Sequence, residues 1–238
     1  MTENKNIVEH HHQTPDEIKK ICTAKGDGNV QICRINEELD QGMKEMENYT
    51  NSVTFYGSAR FKEGDEYYNR ARTLGNRIST EVGATIITGG GPGIMEAGNR
   101  GAFEAGGKSL GLTIKLPMEQ TDNKFVTDEI PFNFFFARKM SLSFSSEVFV
   151  YFPGGFGTLD ECFEVLTLIQ TKKLPQIPVI LYGTDFWKPV VEIFKTVLLE
   201  KFHTISPEDM SLFTVTDDDD LVIDIIKKAK PRVKGLAD

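Results

Sequence analysis

Two glycine-rich turns and one basic pair hold the residues of this chain that could do chemistry. The first turn is Gly89-Gly90-Gly91-Pro92-Gly93-Ile94-Met95-Glu96, with four glycines in five positions. Without Cβ atoms the backbone can come close to an anion, and free N–H groups at a helix start point toward it. Pro92 suits the first turn of a helix. The spacing is neither the dinucleotide fingerprint nor a phosphate loop ending in Gly-Lys-Ser/Thr. One glycine would serve a tight strand-to-helix crossover; four favour phosphate binding.

The second turn is Pro153-Gly154-Gly155-Phe156-Gly157-Thr158-Leu159-Asp160-Glu161. Thr158 offers a hydroxyl and an N–H to an anion, and Glu161 brings a carboxylate to the start of the next helix. Two such turns suggest one anionic ligand held from two sides. Between them runs Phe134-Phe135-Phe136-Ala137-Arg138-Lys139-Met140. Arg138 can clamp a phosphate or a sugar hydroxyl. Lys139 reads equally as an anion contact or as half of a surface charge pair. Earlier in the chain, Gly57-Ser58 could supply a ligand hydroxyl or form a plain turn, with even weight on each.

These residues need a scaffold that brings strand ends together. Short apolar runs at 52–56, 84–88, 109–114, 148–152, 178–182 and 212–215 read as strands. Amphipathic stretches at 66–82, 93–105, 134–144, 159–170, 185–201 and 217–229 read as helices. The alternation predicts a Rossmann-like α/β fold, a doubly wound parallel sheet with helices on both faces. In such sheets ligands bind beyond the carboxyl ends of the strands, at the switch point. Both glycine-rich turns and Ser58 fall there.

Residues 1–50 differ from the rest. They are polar and poor in aromatics, with a helix start at Thr14-Pro15-Asp16-Glu17 and a second helix over 36–49. They read as an appendage to a domain spanning 51–238. His10, His11 and His12 do not converge from one helix face, so a mobile tail is preferred to a metal site.

The net charge of −8 disfavours nucleic acid and anionic membranes as partners, because both need a basic surface. Three cysteines without a C-x-x-C pair argue against a disulfide scaffold and fit a reducing compartment. No run approaches the length of a membrane span, and the N-terminus has no signal-like apolar stretch. The expected location is cytoplasmic.

Taken together, GGGPGIME, FFFARKM and PGGFGTLDE resemble the LOG family of cytokinin riboside 5′-monophosphate phosphoribohydrolases, long labelled lysine decarboxylases. The resemblance runs from about Ser52 to the C-terminus. It implies cleavage of the N-glycosidic bond of AMP or a cytokinin riboside monophosphate, with no cofactor and no metal. It places the catalytic pair at Arg138 and Glu161. The phosphate site falls on Gly90, Gly91, Gly93, Gly155, Gly157 and Thr158, while Ser58, Met95 and Glu96 lie near the nucleotide. A homodimer or larger homo-oligomer is implied. Pro92, Phe156 and the N-terminal extension depart from the shorter members.

Two other readings compete. The chain could bind a nucleotide or carry a molybdenum cofactor without turnover, as relatives in the same superfamily do. A pyridoxal-phosphate decarboxylase would need a Schiff-base lysine, for which Lys139 is the one lysine near the inferred site.

Overall fold

The computed structural model describes residues 27–114 and 123–231. The predicted helix start at Thr14 and the three histidines lie outside the described residues. Helix α1 (Asp27–Met46) precedes β1 (Ser52–Tyr56), α2 (Glu66–Glu81), β2 (Thr85–Thr88), α3 (Ile94–Glu104) and β3 (Ser109–Ile114). Then come β4 (Asp128–Phe132), α4 (Phe135–Ser143), β5 (Val148–Tyr151), α5 (Phe156–Gln170), β6 (Val179–Tyr182) and α6 (Thr184–Ile193). A π-helical stretch Phe194–Lys201, a 3-10 turn Pro207–Ser211, β7 (Thr214–Thr216) and α7 (Asp219–Lys228) complete the chain.

The seven strands form one sheet in the order β4-β3-β2-β1-β5-β6-β7, and every pairing is parallel. This is the doubly wound α/β fold. The chain runs outward from β1 to β4, then returns to place β5 against β1 on the other side. The switch point therefore lies between β1 and β5.

Strand periodicity divides the core in two. Val53, Phe55, Val148, Val150 and Phe152 face α2, α3 and α7, joining Leu74, Ile78, Ala97 and Val222. Tyr56, Phe149, Tyr151 and Leu181 face the opposite way, toward Ala137 and Leu142 of α4, Val165 of α5 and Trp187 of α6. Nearly every position of the central strands is buried and serves one layer or the other, as a sheet covered on both faces requires.

The structure adds one strand that the apolar pattern does not reveal. β4 reads Asp-Glu-Ile-Pro-Phe, with Ile130 and Phe132 buried and the other three exposed. It is an edge strand, where Pro131 sacrifices no ladder hydrogen bond and charges can face water. The helix expected over 185–201 instead changes at Phe194 into wider turns, with Phe202 N bonding back five residues to Val197 O at 3.0 Å. A search for 3.6-residue periodicity cannot resolve that change.

α1 starts nine residues earlier than the predicted 36–49 helix. It lies on the domain: Met46 is fully buried, and Leu39 and Met43 pack against the core layer beneath α4. Burying one methionine contributes about 1.5–3 kcal/mol. Its outer face is mixed: Lys44 and Asp40 pair at 2.6 Å, and Val30 and Ile32 are exposed. Cys33 on α1 is disulfide-bonded, against the expectation of a reducing compartment, while Cys162 is a buried free thiol. Among the described residues no helix is long and apolar enough to cross a membrane.

Candidate active site

A cleft of about 1280 Å³ opens at the carboxyl edge of the sheet, over the β1–β5 switch point. The turn after β1, the start of α4 and the start of α5 form its walls. Tyr56 at the end of β1 stacks on Tyr151 at the end of β5, rings 4.8 Å apart and 5° from parallel. Phe152 N donates to Tyr56 O at 2.8 Å, and Ser58 N donates to Pro153 O at 3.0 Å. The two strand exits are thus held edge to edge.

The second glycine-rich turn faces this cleft. Gly155 is the N-cap of α5, so the helix begins at Phe156, three residues earlier than predicted. A side chain on Gly154 would collide with Thr158 Oγ1 at 2.1 Å, whereas Cβ atoms on Gly155 or Gly157 would meet nothing within 4 Å. Gly154 is therefore set by packing, and Gly155 and Gly157 leave the backbone open to a ligand. The first backbone N–H groups of α5 have no partner within the helix and carry its positive dipole end. Thr158 is buried in the same turn and lines the cleft.

The first glycine-rich turn is built differently. Gly93 would place a Cβ 2.3 Å from Ser58 O, and Gly90, at φ +72°, would meet Thr113 Cγ2 at 2.6 Å. Gly90 N donates to Thr88 Oγ1, and Asn123 Nδ2 donates to Gly91 O. These glycines permit close packing of protein on protein. Gly89 and Met95 from this turn line the main cleft; Gly90, Gly91 and Gly93 do not. Gly93 and Glu96 line a smaller neighbouring pocket of about 460 Å³, separated by the Ala59-Arg60 turn. Glu96 accepts a hydrogen bond from Tyr68 OH at 2.7 Å.

Arg138 and Glu161 come together in the main cleft. Arg138 sits in the second turn of α4 and is largely buried. Its Nε donates to Leu112 O at 2.6 Å and its Nη2 to Gly89 O at 3.1 Å. Burial lowers its pKa, and the attraction of Glu161 opposes that shift. Glu161 lies in the second turn of α5, and its Oε2 is buried without a hydrogen-bond partner. Burial pushes its carboxyl up to about 7, against the opposing pulls of Lys139 and Arg138. A half-buried carboxyl with a raised pKa, lining a cleft beside an arginine, has the properties of an acid–base or charge-stabilising group.

Lys139 lines the cleft, but its ammonium is engaged. Nζ lies 2.7 Å from Asp160 Oδ2 and 3.7 Å from Glu164 Oε2. Burial lowers its pKa, but the acidic partners outweigh burial and the net shift is upward. Ser58 lines the cleft, with its Oγ accepting from Arg60 N at 3.1 Å.

The motifs alone did not single out the apolar part of the wall. Phe135, Phe136 and Phe156 are exposed beside the cleft, Phe156 at 92 %, and Phe186 and Val190 of α6 complete that side. The run of three phenylalanines before Arg138 was the available signal: a helix start that exposes aromatics invites a planar ligand or a partner.

A parallel α/β sheet with this cleft over its switch point defines a Rossmann-like protein with a candidate ligand site between two helix starts. The family model described as possible lysine decarboxylase, the LOG-family domain, matches residues 95–226, and the chain belongs to that family. Among solved structures it is similar to the molybdenum cofactor binding protein of the phototrophic bacterium Rippkaea orientalis. That match has 26% identity and a TM-score of 0.54, covering 74% of this chain and 93% of that one. It is also similar to the molybdenum cofactor carrier protein of Chlamydomonas reinhardtii, at 26% identity and a TM-score of 0.57, covering 75% and 97%. A search of curated proteins returned no match.

Proposed function

We propose that this protein hydrolyses the N-glycosidic bond of a nucleoside 5′-monophosphate, AMP or a cytokinin riboside monophosphate, giving a free base and ribose 5-phosphate. The observation that carries this reading is Glu161: a half-buried carboxyl, its pKa raised to about 7, with its buried Oε2 unpartnered, in one cleft with Arg138. A carrier has no need of such a group.

Cleavage moves the C1′–N bond pair onto the base and leaves positive charge on the ribose. Glu161 in its ionised form stabilises that charge and accepts a proton from the attacking water, and that proton ends on the departing base, which leaves neutral. Arg138, fixed by two carbonyls, binds a ribose or phosphate oxygen. The phosphate lies over Gly155, Gly157 and Thr158 at the start of α5, so binding energy remote from C1′ positions the reacting carbon. Phe135, Phe136 and Phe156 give the base an apolar wall. The family resemblance extends the proposal to assembly as a homodimer or larger homo-oligomer.

One observation favours a second reading. The two structures named above are described as molybdenum cofactor binding or carrier proteins, and an anion-binding cleft would also suit a carrier. A decarboxylase acting through a Lys139 Schiff base is disfavoured, because that chemistry needs a neutral amine and Lys139 is held charged by Asp160.

The deciding experiment incubates the protein with AMP, adenosine and a panel of other monophosphates and separates the products by chromatography. Release of adenine and ribose 5-phosphate from AMP, with little from adenosine, is expected. AMP binding without adenine release would replace this reading by the carrier one.

A further inference from the structure

We propose that Glu38, on the N-terminal helix α1, is a positioning residue for Arg138, which makes α1 a working part of the cleft. The inference rests on the reading of Arg138 as a functional group.

The start of α4 has no cap of its own: Phe134 occupies the N-cap position and supplies no side-chain hydrogen bond. Glu38 fills that role from 95 residues away. Its Oε1 accepts from Asn133 N at 2.7 Å and from Asn133 Nδ2 at 2.9 Å, and its Oε2 accepts from Phe134 N at 2.9 Å. Both carboxylate oxygens are engaged, and the charge sits at the positive end of the α4 dipole.

The link to Arg138 is short. Phe134, whose N–H is held by Glu38, accepts the Arg138 N–H on its carbonyl at 3.2 Å. The next two residues, Phe135 and Phe136, line the cleft. One α1 turn beyond Glu38, Gly42 allows α4 to come close: a Cβ there would lie 2.7 Å from Ser141 Oγ and 2.8 Å from the Phe132 ring. One further turn on, Met46 is fully buried. Glu38 and Gly42 thus fix the two ends of α4 against α1, and the Arg138 guanidinium keeps its two carbonyl partners only while α4 holds that place.

The test compares Glu38→Ala and Glu38→Gln in the full chain, in wild-type and Arg138→Lys backgrounds. The readouts are hydrogen exchange of α4, AMP affinity and base release. Glu38→Ala is expected to speed exchange at the amides of residues 134–138 while leaving α5 unchanged. It should lower kcat by roughly 10- to 100-fold, the scale of a small misplacement of a reacting group, with KM moving much less. Glu38→Gln keeps one acceptor and should recover part of the loss. In Arg138→Lys, Glu38→Ala should cost far less, because residues acting through one another are not additive. Unchanged α4 exchange, or equal losses in both backgrounds, overturns the proposal. Altered α4 exchange with no base release from the wild-type protein defeats the hydrolase reading alone; α4 exchange then decides the proposal by itself. If Glu38→Ala does not fold, Glu38→Gln carries the same comparison.

Discussion

Lys139 Nζ lies 2.7 Å from Asp160 Oδ2, which ties the helix of Arg138 to the helix of Glu161. The ammonium also lowers the Glu161 pKa, opposing the burial that raises it. Lys139→Ala should therefore raise the Glu161 pKa further above about 7. If Glu161 acts as the carboxylate, the rising limb of kcat/KM against pH moves to higher pH, and activity lost at pH 7 returns at pH 9. An unmoved limb would show that the titrating group is another residue.

Glu161→Gln separates chemistry from stability. Base release from AMP should fall at least about 100-fold, the scale of losing one preorganised electrostatic group, with AMP affinity little changed. A carboxyl whose folded pKa is raised favours the fold while protonated. That contribution is complete below the ordinary value of 4.5 and is lost as pH rises through about 7. The variant, which cannot ionise, should thus match wild-type stability near pH 4 and exceed it above pH 8, by on the order of 3 kcal/mol, with a correspondingly higher melting temperature. Thermal melts across this range check the sign; a variant less stable than wild type at pH 8 contradicts the burial argument.

Arg138→Ala should lose both activity and stability. The guanidinium satisfies Leu112 O and Gly89 O, and removing it leaves two carbonyls short of donors, at about 1–3 kcal/mol for each group left buried. Denaturant titration should show the loss. Arg138→Lys restores the charge but not the two-pronged geometry, so it should recover less activity than stability.

The division of this molecule into legible and illegible parts follows from range. The central strands were legible because buried parallel strands are short, dense apolar runs with only small or hydroxyl residues between, fully apolar in Val148–Tyr151. β4 was not, since an edge strand can contain Asp128, Glu129 and Pro131. Motifs pointed to Arg138 and Glu161, and the fold brings both into one cleft. The docking of α1 was hidden: nothing near Glu38 in sequence reveals that its partners are Asn133 and Phe134. Nor does a glycine declare whether its bare Cα serves packing, as Gly93 against Ser58, or leaves room, as at Gly155.

That last distinction can be tested by substituting one glycine from each turn. At Gly89 a Cβ would lie 2.1 Å from Arg138 Nη2 and 2.9 Å from Met95 Sδ. Gly89→Ala must displace the guanidinium from its carbonyl partners, so base release should fall by roughly 10- to 100-fold even when AMP still binds. At Gly155 the φ of −91° suits any residue and a Cβ would meet nothing within 4 Å. Gly155→Ala should leave the melting temperature unchanged. A methyl group there would point into the space assigned to the phosphate, so AMP affinity should fall while adenosine, lacking the phosphate, should bind as before. Calorimetric titration of both ligands against both variants reads the difference. If Gly155→Ala bound AMP with wild-type affinity, the phosphate could not lie over the start of α5, and the first glycine-rich turn with its smaller pocket would become the place to look for it.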